Sequence, residues 1–225
     1  WIVLGLAVLT KGPVAIILMG MTLLIFSIFQ KDFWGLWIKL KPLKGIIITG
    51  FVSLPWYLIE LFIEGRPFWN SFFGYHNFQR FTSVVNFHQE PWWFFGLILV
   101  IASLPFTPLL LLGIKNSFFR QDLVSNKPEE SLLTFSSSWL ISVLLLFTCS
   151  ATKLPSYWIP AIPAASMLVG ITSVESVYKG KDEGFYFAWL FSSFLSLVLG
   201  IVLWLSPLWL LYVEDPEIPD FGLSL

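Results

Sequence analysis

The chain alternates between long apolar runs and short polar connectors. Several runs approach or exceed the roughly 20 residues that a helix needs to cross a bilayer. Because a helix satisfies its own backbone hydrogen bonds in lipid, the pattern predicts an all-α, polytopic membrane protein with about six to seven transmembrane helices. The predicted apolar runs are Trp1–Leu9, Pro13–Phe29, Gly45–Ile63, Trp92–Ile114, Ser131–Cys149, Trp158–Tyr178 and Phe185–Val213.

The composition supports this class. The chain is 56% hydrophobic and 12% charged, whereas soluble domains carry about 25% charged residues. A net charge of −1 argues against a nucleic-acid partner, and the single cysteine, Cys149, excludes an internal disulfide. The chain begins inside an apolar run without a signal peptide. We therefore expect an internal fragment, with residues 1–213 as an N-terminally truncated transmembrane region and residues 214–225 as an acidic, outward-facing tail or the start of a further domain.

The basic residues predict which side of the membrane each connector faces, because cytoplasmic loops are enriched in Lys and Arg. Strict alternation of the spans divides the connectors into two sets. Nine basic residues fall in Gln30–Lys44, Lys115–Glu130 and Lys179–Gly184, and four fall in all the others. The first set is predicted to be cytoplasmic and to consist of solvated connectors, so the motifs described next all lie on the outer face.

Two of the outer motifs combine a lysine with the start of a helix. In LTKGPV, Gly12 allows a sharp turn and Pro13 suits the first position of a helix, whose free N–H groups and dipole attract anions beside Lys11. SATKLPSYWIP repeats the arrangement with Lys153 and a helix start for which Ser156 is the predicted N-cap. Snorkelling explains one such lysine, but two on one face suggest a shared anionic ligand.

The third outer motif is the aromatic connector Glu64–Pro91, for which we predict an amphipathic helix lying in the interface. His76 and Arg80 are four positions apart and would share one helix face. Arg80 offers a planar set of donors suited to phosphate, and His76 could bond a substrate oxygen or move a proton. Both histidines of the chain, His76 and His88, fall in this connector. Their spacing predicts no metal site.

These stretches resemble a known family. GLAVLTKGPVAIIL, PWYLIE, YHNFQRFTS followed by a histidine and PWWFF, and KLPSYWIPAIPA are similar in order and spacing to the bacterial aminoarabinose transferase and dolichyl-phosphate-mannose protein mannosyltransferase group of the glycosyltransferase C superfamily. The resemblance covers about Gly5 to Ala165. It implies inverting transfer of a sugar from a polyprenyl-phosphate carrier to a lipid, protein or glycan acceptor, at the outer (periplasmic) face of a bacterial inner membrane.

The resemblance also implies roles for individual residues. Lys11 and Arg80 would contact the carrier phosphate, and we group Lys153 with them as a third cation. The residues expected to line the substrate cavity are His76, Asn77, His88 and Tyr157.

Members of this group use an acidic base in an early outward loop, which would precede Trp1. The outward acids of this chain, Glu60, Glu64 and Glu90, are weaker candidates. No cofactor is implied beyond the lipid-linked sugar, and the use of a divalent metal stays an open alternative.

Two other functions fit the same pattern. A transporter or flippase for a lipid-linked anion would need ionisable residues at mid-depth, and the predicted spans contain almost none. A non-catalytic membrane scaffold would use the aromatic connector as a docking surface.

Overall fold

A computed structural model describes residues 1–83, 90–118, 128–179 and 183–210, and all regular structure in these ranges is helical. The prediction of an all-α membrane protein is therefore confirmed. In chain order the helices are α1 (Ile2–Lys11), α2 (Val14–Gln30), α3 (Phe33–Leu40), α4 (Pro42–Glu64), α5 (Arg66–Phe68), a π-helix (Trp69–Gln79), α6 (Arg80–Thr82), α7 (Phe94–Ala102), α8 (Thr107–Phe118), α9 (Pro128–Thr148), a 3₁₀ helix (Pro155–Ala161), α10 (Ile162–Lys179), α11 (Glu183–Trp204) and α12 (Ser206–Leu210).

Within the described ranges, four helical stretches are long and apolar enough to cross a membrane. They are Pro42–Glu64, Ser131–Thr148, Pro155–Ser176 and Glu183–Trp204. A fifth is obtained if α7 and α8 count as one span, and α1 and α2 are shorter apolar helices. The finer count of six to seven spans stays a prediction.

Helices α2 and α9 pack against each other in antiparallel directions. Phe26, near the end of α2, meets Phe135, near the start of α9, edge to face at 5.6 Å. Around α9 lies the main apolar core, to which α9, α10 and the 3₁₀ helix contribute most. Ser136, Ser138 and Ser142 of α9 each donate to the carbonyl four residues earlier, so these small hydroxyls are satisfied inside their own helix and allow close helix packing.

The predicted span Trp92–Ile114 is not one continuous helix. This stretch forms α7 and α8, which are bent by 118° relative to each other. The break follows from the sequence SLPFTP, because Pro105 has no N–H to donate and disfavours helical geometry in the residue before it. The Thr107 hydroxyl donates to the Val100 carbonyl at 2.7 Å and satisfies one group that the break leaves free.

The bent pair still connects opposite ends of the bundle. Phe95, at the start of α7, lies 6.2 Å from Phe147 at the end of α9, whereas Phe118, at the end of α8, lies 5.1 Å from Phe29 at the end of α2. Since α2 and α9 are antiparallel, these two contacts mark opposite ends. Which side of the membrane each connector faces stays a prediction.

The connector Gln30–Lys44 also differs from its prediction, because it contains α3 rather than only solvated chain. Asp32 caps this helix by accepting a hydrogen bond from the Gly35 N–H at 2.9 Å. The following helix, α4, is fastened to the start of α1. The Trp1 indole donates to the Leu40 carbonyl at 3.1 Å and packs directly over Gly45, where no Cβ would fit.

We predict that Gly113→Leu destabilises the packing of α8 against α10. A Cβ at Gly113 would lie 2.7 Å from the Thr172 hydroxyl and 3.2 Å from the Leu168 carbonyl, so a larger side chain forces the helices apart at a cost of about 1–3 kcal/mol. Gly170→Leu on α10 is the matched control, because nothing lies within 4 Å of its Cβ position. Unfolding of both variants in detergent measures the difference, and equal stability would contradict the packing.

Candidate functional site

The LTKGP turn forms as the sequence predicts, with a shift of one residue. Helix α1 ends at Lys11, and Gly12 has a φ of 81°, a conformation that favours glycine. Helix α2 begins at Val14, so Pro13 immediately precedes the helix instead of opening it. No side chain caps this helix start. Its first N–H groups and positive dipole end therefore lie next to the exposed Lys11.

Tyr57 fastens this turn to the aromatic connector. Its hydroxyl donates to the Val8 carbonyl at 2.6 Å, and the same carbonyl accepts the Gly12 N–H at 2.7 Å. The Tyr57 ring is buried against Phe72 and Phe73, with ring centroids 5.4 and 5.7 Å away. The sequence alone assigns no role to Tyr57. Its one indication is the PWYLIE motif, in which a tyrosine stands inside an apolar span.

The aromatic connector is helical from Arg66 to Thr82, but most of it is not α-helical. The segment Trp69–Gln79 is a π-helix, in which the backbone hydrogen bonds span five residues, and Arg80 opens the short α6. One side packs on Tyr57 through Phe68 and Phe72, whereas Phe78 is exposed. Thus a helix exists where we expected one, with a different repeat, and its position in the interface stays a prediction.

The turn that carries Lys153 is buried. Lys153 is 9% exposed, and its Nζ donates to the Ser150 carbonyl at 2.9 Å. The Ser150 hydroxyl in turn donates to the Thr152 carbonyl at 3.0 Å. Within the described part of the chain, Lys153 forms no ion pair with a carboxylate, so this ammonium is held by neutral groups.

The helix start after Lys153 differs from its prediction. Pro155–Ala161 is a 3₁₀ helix, Leu154 occupies the N-cap position, and no side chain caps it. The prediction of Ser156 as N-cap is therefore wrong. Two prolines within six residues remove N–H donors that a regular α-helical turn would use, which favours the tighter helix. Tyr157 lies here, half-buried, with its ring 4.7 Å from that of Phe147.

Two hydrogen bonds join the Lys153 turn to the end of the aromatic connector. The Ala151 N–H donates to the Phe81 carbonyl, and the Thr152 hydroxyl donates to the Ser83 carbonyl, both at 2.9 Å. We refer to this contact as the 81–83/151–152 junction. Through it and through Tyr57, all three predicted outer motifs meet at one end of the bundle.

The structure therefore brings together the segments that carry the predicted residues. For His76, Asn77 and Arg80 it describes the backbone position only, and His88 lies outside the described residues. Their predicted roles stay predictions. In the described ranges, no group of three or more His, Cys, Asp or Glu side chains gathers in one place. The groups that these motifs offer to a ligand are the Lys153 and Lys11 ammonium groups and the start of α2.

We predict that Thr152→Val loosens the junction without disturbing the packing, because valine keeps the shape of threonine but loses the hydroxyl. A buried hydrogen bond contributes about 1 kcal/mol, so exchange of the Ala151 amide with solvent should become about fivefold faster. Thr152→Ser keeps the hydroxyl and serves as the control. Hydrogen–deuterium exchange in detergent measures the rate, and an unchanged rate in Thr152→Val would show that the bond does not hold the junction.

Comparison with known proteins finds relatives along nearly the whole chain, although no family model matches. An uncharacterised protein of Aquifex aeolicus is 30% identical over 199 residues, which are 88% of this chain and 41% of that protein. Undecaprenyl phosphate-α-4-amino-4-deoxy-L-arabinose arabinosyl transferase 1 of Pseudomonas fluorescens Pf-5 is 29% identical over 226 residues, 96% of this chain and 39% of that protein.

A solved structure gives the same result. The crystal structure of ArnT from Cupriavidus metallidurans bound to undecaprenyl phosphate matches 98% of this chain with a TM-score of 0.70 and 26% identity, and the match covers 37% of ArnT. The chain thus spans about two fifths of the length of these relatives. In sequence and in fold, this integral membrane protein is similar to one region of the aminoarabinose transferases that use undecaprenyl phosphate.

Proposed function

We propose that the chain forms the donor-binding region of a membrane glycosyltransferase. Its donor would be a sugar on a polyprenyl-phosphate carrier, and its acceptor a lipid, protein or glycan at the outer face of a bacterial inner membrane. The observation that carries the proposal is the 81–83/151–152 junction, because it brings the backbone next to Arg80 to the buried turn of Lys153. The similarity to a protein solved with undecaprenyl phosphate supports the same ligand.

Lys153 is the strongest reason to expect an anionic ligand. Among the residues whose burial the structure describes, it is the one buried residue with a formally charged side chain. Burying an ammonium is costly unless an opposite charge compensates it, and a single carbonyl compensates it only in part. A phosphate at this position would supply the missing negative charge and accept the remaining N–H donors.

Lys11 and Arg80 would contribute from the two neighbouring motifs. The start of α2 offers the positive end of a helix dipole beside Lys11, an arrangement that favours phosphates in many proteins. Arg80 would add a planar fork suited to phosphate oxygens. His76, Asn77, His88 and Tyr157 would line the cavity next to the phosphate and contact the sugar or the acceptor.

The reaction would use these cations in its transition state. The acceptor oxygen attacks the anomeric carbon from the face opposite the phosphate, and the bond between that carbon and the phosphate oxygen breaks, so its electron pair stays on the carrier. The phosphate therefore gains negative charge as the sugar leaves. Cations fixed around it stabilise the transition state more than the ground state. An acidic residue in an early outward loop would take the acceptor proton.

The names of the relatives suggest which sugar to test first. Those of Pseudomonas fluorescens are named for the transfer of 4-amino-4-deoxy-L-arabinose from undecaprenyl phosphate. We propose this donor before a mannose donor. A transporter is less well supported, because the buried polar residues of the described spans are serines and threonines rather than ionisable groups.

We predict that Arg80→Ala in the full-length protein lowers turnover by about 10²–10³, the effect of losing one donor to a developing negative charge. Arg66→Ala is the control, since Arg66 is exposed at the other end of the same helical connector. Transfer of labelled sugar from polyprenyl phosphate to the acceptor measures both variants. Near-normal turnover of Arg80→Ala at normal expression would remove Arg80 from the site.

We also predict that Lys11→Met and Lys153→Met each weaken binding of polyprenyl phosphate. Replacing a buried charge by an apolar side chain of similar length often leaves stability unchanged, so Lys153→Met should unfold at nearly the same temperature as the parent without ligand. The increase in unfolding temperature on adding polyprenyl phosphate should shrink in both variants. Lys115→Met, at the opposite end of the bundle, should keep the full increase. Full retention in Lys11→Met or Lys153→Met would argue against that contact.

A further inference from the structure

The short helix α3 lies at the end of the bundle opposite the proposed donor site. Its eight residues (Phe33–Leu40) extend about 12 Å, far less than the bilayer core, so α3 does not span the membrane. Lys31 and Lys41, immediately outside its capped ends, both adopt left-handed backbone conformations, with φ of 52° and 50°. The chain therefore turns sharply on both sides of α3 and sets this helix apart from α2 and α4.

Helix α3 presents apolar side chains that the protein does not cover. Trp34 is 76% exposed and Ile38 is 72% exposed, and their four-residue spacing places them on one face. Leu36, Trp37 and Leu40 are half-buried. The helix thus has one side against the protein and an adjacent apolar side free, which is the geometry of a helix lying at the boundary between lipid headgroups and acyl chains.

Four lysines lie within α3 or within four residues of its ends. Lys31, Lys39, Lys41 and Lys44 are all exposed, and in the described part of the chain none of them forms an ion pair with a carboxylate. Asp32 is the one acidic residue of Gln30–Lys44, and its carboxylate already accepts a hydrogen bond from Gly35. The segment therefore carries an excess of three positive charges next to an exposed tryptophan.

We propose that α3 and its four lysines form a binding site for anionic phospholipid headgroups in the leaflet at the lysine-rich end of the bundle. Trp34 and Ile38 would enter the upper acyl region, and the ammonium groups would then lie at the level of the lipid phosphates. Cytoplasmic connectors are generally enriched in lysine, which explains why this segment has four. That enrichment does not explain why the four lysines flank a helix with an uncovered apolar face. This site is independent of the proposed glycosyltransferase function, because it lies at the other end of the molecule.

Lipid binding to the purified full chain tests the proposal. Native mass spectrometry gives the affinity for phosphatidylglycerol, which is anionic, and for phosphatidylcholine, which has no net charge. We expect the chain to prefer phosphatidylglycerol. Each lysine near an anionic surface strengthens binding about fivefold, so Lys39→Gln/Lys44→Gln should reduce this preference by roughly 10- to 30-fold.

Two further variants make the result specific. Lys115→Gln/Lys181→Gln removes the same charge from the same predicted side of the membrane and should leave the preference unchanged. Lys39→Arg/Lys44→Arg keeps the charge and should keep the preference, which separates charge from any effect of substitution on folding. The proposal is overturned if the parent chain binds the two lipids equally. The lysines would then serve only to set the orientation of the protein in the membrane. It is also overturned if the two glutamine variants lose the preference to the same extent.

Discussion

Backbone polar groups near or inside a bilayer must find partners within the protein, and this constraint shapes the molecule wherever a helix ends. At the end of α1, the Val8 carbonyl accepts from both Gly12 and Tyr57. At the bend between α7 and α8, Thr107 returns to Val100. After α9, the turn at residues 150–153 bonds to Phe81 and Ser83. These three helix ends are thus points at which the chain is tied to a neighbouring segment.

Two of these helix ends also carry a lysine. Lys11 is the last residue of α1, and Lys153 lies in the turn after α9. A helix end supplies free N–H or carbonyl groups, and side chains from neighbouring segments gather to satisfy them. Lys153 shows this directly, because its ammonium donates to the carbonyl of Ser150 inside a turn that also holds the junction together. In the proposed function, the structural tie and the contact to the carrier phosphate would therefore come from the same few residues.

The sequence predicted the helical class because hydrophobic run length is a pattern that survives without tertiary information. The outer location of the motifs depends on the distribution of lysines and stays a prediction. Gly12 and Pro13 likewise determine a turn through their own backbone preferences. The Tyr57 hydrogen bond was not predictable, because it depends on which carbonyl of α1 faces α4, and the spacing of aromatic residues did not reveal the π-helix of Trp69–Gln79.

The errors have equally local causes. The apolar run Trp92–Ile114 predicted a span but not its bend, because the count of apolar residues ignored Pro105, which changes the direction of the chain and not its hydropathy. The connector Gln30–Lys44 was interpreted from its lysines, while the Asp32 cap and the apolar residues after it indicated a helix. Ser156 is not the N-cap, although serine often takes that position, because Pro155 and Pro160 favour a 3₁₀ helix that begins one residue earlier.

The two fastenings between α1 and α4 have a mechanical consequence. The Thr49 hydroxyl of α4 donates to the Trp1 carbonyl at one end of α1, and the Tyr57 hydroxyl of α4 donates to the Val8 carbonyl near the other. These two helices must therefore move as one rigid unit, with the lysine-flanked α3 near one end and Lys11 at the other. For the proposed donor site, a thicker or thinner bilayer would change how far the Lys11 ammonium lies from the acyl chains, and bilayer thickness would then tune the contact with a lipid-linked phosphate.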